Sequence, residues 1–210
     1  IRDKLVTGVQ TCALPIYPMA RRPTLRVGGP ADLYVEPQSE TDLALVLEYA
    51  RAQRMPWLLL GRGSNLLVRD GGIRGVVISL AHAAFSGVEV RDGRLHCGAG
   101  ARLKQISQDA RRAGIGGLEF LEGIPGSLGG ALRMNAGAMG GWTFEVAERV
   151  RFMTPDGEVR ELPTSEVPHE YRSCPLFVDH IALGAVLHGT STDPEGIRAD
   201  RKSTRLNSSH

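Results

Sequence analysis

Two glycine-rich segments constrain this chain of 210 residues more than any other feature of its sequence. Residues 61–66 read Gly-Arg-Gly-Ser-Asn-Leu after an apolar run, and residues 123–131 open a short helical pattern. Glycine lets a ligand approach the main chain closely, and its positive φ angles let successive N–H groups converge on one anion. One such loop is usually only a tight turn. Two of them in one chain favour a surface that binds phosphate groups.

The candidate phosphate-binding residues lie in these two segments or directly after them. They are Gly61, Arg62, Gly63, Ser64, Asn65, Leu66, Gly123, Gly126, Ser127, Gly129, Gly130, Asn135, Ala136 and Gly137. Leu66 stands where GxGxxG has its third glycine, which disfavours a Rossmann fold, and no Gly-Lys-Ser/Thr follows, which argues against a Walker loop. The alternative is structural: the first segment would be a tight strand-to-helix connection, and the second a site of close helix packing.

Residues 19–80 predict a small α/β unit. Ser39 with Asp42 three residues later is typical of a helix N-cap. The following apolar residues recur at i, i+3, i+4 and i+7, so one face of this helix is expected to be buried; they are Leu43, Val46, Leu47 and Ala50. Strands are predicted over residues 31–36, 57–60 and 75–80. The first glycine segment therefore follows a buried strand.

Residues 81–200 predict a second unit of mixed strands and helices. Asp-Gly pairs at 92–93 and 156–157 are strong signals for β-hairpins. Helices are predicted over 102–113 and 128–134, and a last apolar strand over 181–187. Together the two units indicate an α+β protein with two subdomains.

Both ends of the chain read as foreign to this fold. Residues 1–18 begin without methionine and hold no sustained period, and residues 201–210 are polar and featureless. Both resemble peptides translated from sequencing-adapter DNA, and we exclude both from the predicted fold. The alternative is a pair of native disordered tails.

Composition limits the classes of function. The formal net charge is only +2 with scattered basic residues, so no nucleic-acid footprint is present. No apolar run reaches membrane-spanning length and no signal peptide is visible, so we expect no membrane insertion. Cys12, Cys97 and Cys174 form no CxxC pair, and the histidines show no metal-ligand spacing, which predicts neither a disulfide framework nor a metal site. A reducing cytoplasm fits best, and no obligate protein partner is inferred.

Four segments, taken together, resemble one family of flavoenzymes. They are residues 24–31, residues 61–70, residues 117–138, and the pair Tyr171-Arg172. Their order and spacing are similar to the flavin-binding part of the UDP-N-acetylenolpyruvoylglucosamine reductases, over roughly residues 24–200. That family has an FAD domain of the vanillyl-alcohol-oxidase (PCMH) type. The resemblance thus implies a two-subdomain FAD-binding fold, with subdomains at 19–80 and 81–200.

The resemblance also implies an activity. Members of the family hold FAD non-covalently, use NADPH as co-substrate and reduce UDP-N-acetylglucosamine-enolpyruvate to UDP-N-acetylmuramate for peptidoglycan synthesis. Their proton-donating serine and its glutamate partner belong to a C-terminal substrate domain, and the recognisable sequence here stops near Asp200. We therefore expect a fragment that is inactive by itself. The alternative is an FAD-binding module of another oxidoreductase of the same flavin-fold class.

Tyr171 and Arg172 receive their roles from this resemblance alone. The family's Tyr-Arg-x-Ser motif corresponds to residues 171–174, with Cys174 in place of the serine. The resemblance implies that Tyr171 binds substrate and that Arg172 is catalytic. A guanidinium can grip a carboxylate in a planar fork and stabilise an enolate as it forms. Without the resemblance, Arg172 would be interpreted as a solvated side chain.

Overall fold

The computed structural model describes residues 12–21 and 27–191. In chain order the strands are β1 (Cys12–Pro18), β2 (Pro30–Glu36), β3 (Trp57–Leu60), β4 (Ile73–Ser79), β5 (Val88–Arg91), β6 (Arg94–Gly98), β7 (Ile115–Gly116), β8 (Gly137–Ala138), β9 (Gly141–Trp142), β10 (Ala147–Met153), β11 (Val159–Pro163), β12 (Ile181–Leu187) and β13 (Thr190–Ser191). The helices are α1 (Glu40–Ala52), α2 (Ala83–Ser86), α3 (Leu103–Arg112), α4 (Leu128–Met134), α5 (Thr143–Val146) and α6 (Leu176–Asp179). Short 3-10 helices span Met19–Arg21, Glu119–Gly123 and Thr164–Glu166. The predicted α+β class is confirmed.

The first sheet has four strands in the order β1-β2-β4-β3. Strands β2, β4 and β3 run parallel, and β1 adds an antiparallel edge. Helix α1 begins as predicted, because Ser39 Oγ accepts a hydrogen bond from the Asp42 N–H at 3.1 Å. All four predicted apolar residues of α1 are buried in one core with β2 and β4. This burial, rather than local propensity, supplies most of the stability of such a helix.

Strand β1 departs from the sequence prediction, which left residues 1–18 out of the fold. Residues 12–18 pair along the whole of β2, and the Tyr17 ring stacks on Tyr34 with 4.3 Å between centroids. The adjoining Met19 is fully buried. An edge strand with mostly exposed side chains shows no apolar alternation, so its pattern was not visible in the sequence. Residues 1–11, 22–26 and 192–210, which include the predicted tail 201–210, lie outside the described residues.

The second sheet has five antiparallel strands in the order β11-β10-β12-β6-β5. Both predicted hairpins are confirmed. Asp92 and Gly93 have φ angles of 51° and 71°, as a two-residue turn with the strand twist requires. The predicted helices α3 and α4 and the last strand β12 are also confirmed. The short strands β7 and β13 pair with each other and were not predicted from the sequence.

The two sheets share one hydrophobic core. Buried Leu47 and Val76 from the first unit belong to the same cluster as Ile106 and Val150 from the second. The chain crosses itself closely where the segments after β4 and β6 meet. A Cβ added at Gly100 would lie 2.0 Å from the Leu80 carbonyl oxygen, so only glycine allows this approach. The crossing also contributes to the wall of a cavity, which Leu80 and Gly100 both line.

Candidate functional site

A cavity of about 830 Å³ lies where the two sheets meet. Its wall combines the end of β3, the segment after β4, residues 99–105, the start of α4, and residues 177–182. Cavities of roughly 300–1,000 Å³ are typical of sites for small molecules and cofactors. Both glycine segments contribute to this wall, so the structure brings together the features that the sequence singled out.

The first glycine segment enters the cavity through its first two residues only. Gly61 and Arg62 line the wall, whereas the structure places Gly63, Ser64, Asn65 and Leu66 outside it. Gly63 is buried with a φ of 67°, as expected for a residue that turns the chain. Ser64 Oγ donates a hydrogen bond of 2.7 Å to the Pro125 carbonyl oxygen. That bond fixes the first glycine segment against the second.

The second glycine segment serves two purposes. Ser127, Gly129 and Gly130 line the cavity, and Gly123 and Gly126 do not. The Gly129 N–H donates to the Ala99 carbonyl oxygen at 2.8 Å, and a Cβ on Gly129 would lie 3.1 Å from the Ala99 Cβ. A Cβ on Gly130 would meet only Ser127 Oγ, at 3.8 Å. Gly129 thus permits close packing, while Gly130 leaves space for a ligand.

Asn135, Ala136 and Gly137 build a connection beyond the cavity wall. Asn135 ends α4 in the left-handed region, with a φ of 38°, and is buried. Its Nδ2 donates to the Glu170 carbonyl oxygen at 3.1 Å, and its Oδ1 accepts from the Phe144 N–H at 3.2 Å. The Ala136 carbonyl oxygen accepts from Thr143, and a Cβ on Gly137 would overlap the Trp142 ring. The Asn135 side chain is therefore committed to holding three chain segments together.

Tyr171 and Arg172 form the tip of a tight turn. Glu170 and Ser173 exchange backbone hydrogen bonds of 2.9 and 3.2 Å, and Arg172 has a φ of 59°. Both tip side chains are exposed and lie outside the cavity wall. The Arg172 Cζ lies 5.7 Å from the Tyr171 ring centroid, and that ring meets Trp142 edge-on at 5.4 Å. The exposed guanidinium of Arg172 is therefore available to a ligand that approaches the turn from solvent.

The motif residue that departs from the family pattern has a structural role here. The Cys174 N–H donates to the Arg133 carbonyl oxygen at 3.3 Å, and its Sγ lies 3.6 Å from the Pro168 carbonyl oxygen. Burial raises the pKa of the Cys174 thiol, so the group stays protonated at neutral pH. The turn that carries Arg172 is therefore fastened on both sides to the end of α4, by Asn135 and by Cys174.

Three arginines on the cavity wall carry charge that no carboxylate neutralises. Arg62, Arg102 and Arg133 all line the cavity and make no ion pair with the described residues. Most other described arginines are paired with carboxylates: Arg51, Arg74, Arg91, Arg94, Arg112, Arg149, Arg151 and Arg160. Asp179 is the one carboxylate among the described residues of the wall. The cavity therefore suits an anion.

Arg102 and Arg133 were absent from the sequence prediction. Nothing in their local pattern separates them from the other arginines, because each lies within an ordinary helical segment. Tertiary structure alone brings them to the cavity. A useful signal would have been position: Arg102 begins a predicted helix, and anions are favoured at a helix N-terminus.

Other reactive groups near the cavity are already engaged. His180 lines the wall, with its Nδ1 3.1 Å from the Leu176 carbonyl oxygen and its ring edge against Phe152. Burial raises the pKa of the Cys97 thiol to about 12, which makes it a poor nucleophile. Among residues 12–21 and 27–191, no three His, Cys, Asp or Glu side chains cluster as a metal site would require. No helix in those ranges combines the length and apolarity needed to cross a bilayer.

Replacing Asn135 by alanine is expected to lower the free energy of unfolding by about 1–3 kcal/mol, because the buried Phe144 N–H loses its acceptor and the Glu170 carbonyl loses one of its two donors. Alanine also tolerates the φ of 38° less well than asparagine does. Urea unfolding followed by circular dichroism measures the change. The matched control is Asn65→Ala in the exposed part of the first glycine segment, which should stay within about 0.5 kcal/mol of wild type. A stable Asn135→Ala protein with weakened ligand binding would instead assign this amide to a ligand.

A family model described as an FAD binding domain matches residues 31–163. The UDP-N-acetylenolpyruvoylglucosamine reductase of Pelobacter propionicus is 46% identical over 170 residues, which cover 80% of this chain and 57% of the relative. The protein of the same name from Maricaulis maris is 47% identical over 174 residues, covering 82% and 55%. The chain thus spans somewhat more than half the length of these curated relatives.

Solved structures agree with the sequence matches. The crystal structure of UDP-N-acetylenolpyruvylglucosamine reductase from Thermus caldophilus superposes with a TM-score of 0.79 at 31% identity, covering 95% of this chain and 69% of that one. The 6-hydroxy-D-nicotine oxidase from Arthrobacter nicotinovorans has a TM-score of 0.66 at 16% identity, covering 86% and 42%. The second match shows a shared fold alone, and with it the expected oxidase-type flavin fold is confirmed. The chain therefore belongs to the FAD binding domain family and, within it, to the UDP-N-acetylenolpyruvoylglucosamine reductases.

Proposed function

We propose that this chain is the FAD-binding part of an enzyme that uses NADPH to reduce UDP-N-acetylglucosamine-enolpyruvate to UDP-N-acetylmuramate. The observation that carries the proposal is the cavity lined by Gly61, Ser127 and Gly130, whose wall also holds three arginines that make no ion pair in the described part of the chain. A reductase family explains why this cavity is large, partly apolar and positively charged at once. The product belongs to peptidoglycan synthesis, and the proposed setting is the cytoplasm.

The residues of the cavity fit a dinucleotide such as FAD. Gly130 leaves room for a ligand to reach the backbone, and a Cβ added at Gly61 would lie 3.0 Å from Ser127 Oγ, so the two glycine segments lie close together. Guanidinium groups are suited to phosphate oxygens because they donate in a planar fork. Trp57 and Phe177 add aromatic surface to the same wall. When bound there, FAD would supply hydride transfer from NADPH to the enolpyruvyl double bond.

Most of the other predicted cofactor residues hold the wall segments in place without lining the cavity. Gly63 turns the first segment, Ser64 ties it to Pro125, and Asn135 anchors the end of α4. We therefore propose direct cofactor contact for Gly61, Arg62, Ser127 and Gly130. This division assigns the remaining residues of both glycine segments to positioning.

Arg172 is the proposed catalytic residue of this part of the enzyme. Its guanidinium is exposed at the tip of the turn, where it can bind the substrate carboxylate and stabilise negative charge that develops during reduction. Tyr171 flanks it and is proposed to contact the UDP-sugar. The carbon that accepts hydride also requires a proton on its neighbour. We propose that the proton donor belongs to the part of the related proteins that this chain does not span.

The alternative, an FAD module of another oxidoreductase, rests on the fold alone. The oxidase match is 16% identical, whereas the reductase matches reach 46–47%. An oxidase with covalent flavin would also need a nucleophile at the cavity. Cys97 and Cys174 are buried with raised pKa values, and His180 already contacts a backbone oxygen.

The purified chain is expected to bind FAD and to release all of it on acid denaturation, since the described wall holds no cysteine and its one histidine, His180, contacts the Leu176 carbonyl oxygen. Absorbance near 450 nm before denaturation, and after separation of protein from small molecules, measures both points. Yellow colour retained by the polypeptide would contradict non-covalent binding, and loss of that colour in a His180→Ala variant would locate the attachment. A folded protein that takes up no flavin at any concentration would sink the proposed function.

A further inference from the structure

The Trp142 ring is held in a fixed place beside the turn that carries Arg172. Trp142 ends β9 and occupies the N-cap position of α5, where its N–H donates to Glu145 Oε2 at 2.9 Å. Its ring packs against the Gly137 backbone, because a Cβ added at Gly137 would lie 2.3 Å from Trp142 Cε3. The side chain is half-buried, so part of the ring can contact another residue at the surface.

Trp142, Tyr171 and Arg172 form a row of three side chains. The Trp142 and Tyr171 rings meet edge-on, with 5.4 Å between their centroids and an angle of 73° between their planes. The Arg172 Cζ lies 5.7 Å from the Tyr171 centroid. Both arrangements are favourable, because the negative face of an aromatic ring attracts the positive edge of another ring or a guanidinium. Tyr171 is 72% exposed, and among the described residues Trp142 is the aromatic side chain that pairs with its ring.

The backbone of the turn is fixed by contacts that do not involve Trp142. The Phe144 ring stacks on His169, which lies directly before the turn, with 4.3 Å between centroids. This stack adds to the backbone hydrogen bonds that close the turn and to those that join it to the end of α4. These contacts do not restrain the exposed side chain of Arg172. Because a long side chain loses rotamer freedom when a ligand fixes it, a contact that restricts it beforehand favours binding.

We propose that Trp142 is a positioning residue for Arg172 and acts through the Tyr171 ring. The proposal rests on the proposed function in one respect, namely that Arg172 binds the carboxylate of the substrate. Trp142 holds the Tyr171 ring, and the face of that ring restricts the guanidinium, so the planar fork loses less freedom when it meets the carboxylate. Trp142 lies outside the four segments that carry the family resemblance, and this role was not predicted from the sequence.

Nuclear magnetic resonance of the 210-residue chain tests the positioning directly. The ring current of Tyr171 displaces the Arg172 Nε–H resonance, which is identified by its absence from the spectrum of Arg172→Lys. Trp142→Ala is expected to move this resonance most of the way to its position in Tyr171→Ala, and Trp142→Phe, which keeps a ring, should move it much less. The matched control is Met139→Ala, which shortens an exposed side chain between β8 and β9 and should leave the resonance in place. An unmoved resonance in Trp142→Ala would overturn the proposal.

Steady-state kinetics of a polypeptide that spans the full length of the curated relatives tests the consequence for the reaction. Trp142→Ala is expected to lower kcat/KM for the enolpyruvyl substrate about tenfold, as for a partial loss of preorganised geometry. FAD content should stay unchanged because Trp142 lies outside the cavity wall. Trp142→Phe should recover most of the rate. In a Tyr171→Ala background, Trp142→Ala should cause no further loss, because Trp142 acts through that ring, whereas a purely structural role would make the two losses additive.

The two experiments separate this proposal from the proposed function. If the enzyme reduces the substrate and Trp142→Ala matches Met139→Ala in both rate and resonance, the positioning role is overturned while the proposed function stands. If the Arg172 resonance depends on Trp142 but the wild-type enzyme does not reduce the substrate, Trp142 still positions Arg172 and the proposed function fails. Additive losses from Trp142→Ala and Tyr171→Ala would also overturn the role. Thermal unfolding verifies that each variant remains folded.

Discussion

Replacing Gly100 by alanine is expected to destabilise the protein by about 3 kcal/mol or more, since the added methyl group has no space. Its Cβ would lie 2.0 Å from the Leu80 carbonyl oxygen and 3.2 Å from the Phe85 carbonyl oxygen. Both obstacles are backbone atoms, which cannot rotate away as a side chain can. The two sheets would have to separate where they cross. Urea unfolding monitored by circular dichroism measures the loss.

Gly130→Ala is the matched control on the same cavity wall. Its methyl group would meet only Ser127 Oγ, at 3.8 Å, and alanine is favoured over glycine inside a helix by up to about 1 kcal/mol. This variant should be at least as stable as wild type and yet bind FAD more weakly. A Gly100→Ala protein of normal stability would contradict the crossing geometry. Unchanged FAD affinity in Gly130→Ala would remove that backbone from the cofactor site.

Arg172→Ala is expected to lower turnover about 10²- to 10³-fold in a polypeptide that spans the full length of the curated relatives, as for loss of one group that stabilises transition-state charge. FAD content should stay unchanged because Arg172 lies outside the cavity wall. Arg172→Lys should recover only part of the rate, since an ammonium lacks the planar fork. Steady-state oxidation of NADPH with the enolpyruvyl substrate measures each variant.

Arg54→Ala offers a close control for the Arg172 experiment. Arg54 is also exposed and also has a positive φ, of 52°, so both substitutions change the backbone preference in the same way. The Arg54 variant should work normally. Equal turnover for the two variants would show that Arg172 is a solvated arginine with no part in the reaction.

The sequence predicted the regular elements well because their signals are local. The Ser39 cap, the apolar face of α1 and the Asp92-Gly93 hairpin each depend on residues a few positions apart. Strand β1 was missed since its side chains are mostly exposed and only its pairing with β2 defines it. The apolar periodicity of a sequence cannot reveal a strand that buries few of its side chains.

The candidate site was predicted only in part, for the same physical reason. Glycine motifs identified Gly61 and Gly130, because a requirement for small residues is visible in sequence. Arg102 and Arg133 reach the cavity through tertiary folding, which no local pattern encodes. Asn135 was assigned to the cofactor because a polar residue beside glycine suggests a ligand. That assignment stays a prediction, and the structure adds that its amide bonds two backbone groups of its own chain.

Helix α4 fixes the distance between the cavity and the turn that carries Arg172. Its first residues border the cavity, and its C-cap Asn135 holds the turn that carries Arg172. Seven helical residues span about 10 Å, and a helix resists stretching because each turn is closed by hydrogen bonds. Inserting one residue would advance the cap by about 1.5 Å and rotate it by about 100°. The Asn135 amide would then face away from the Glu170 carbonyl. The contacts at its two ends therefore fix the number of residues in α4.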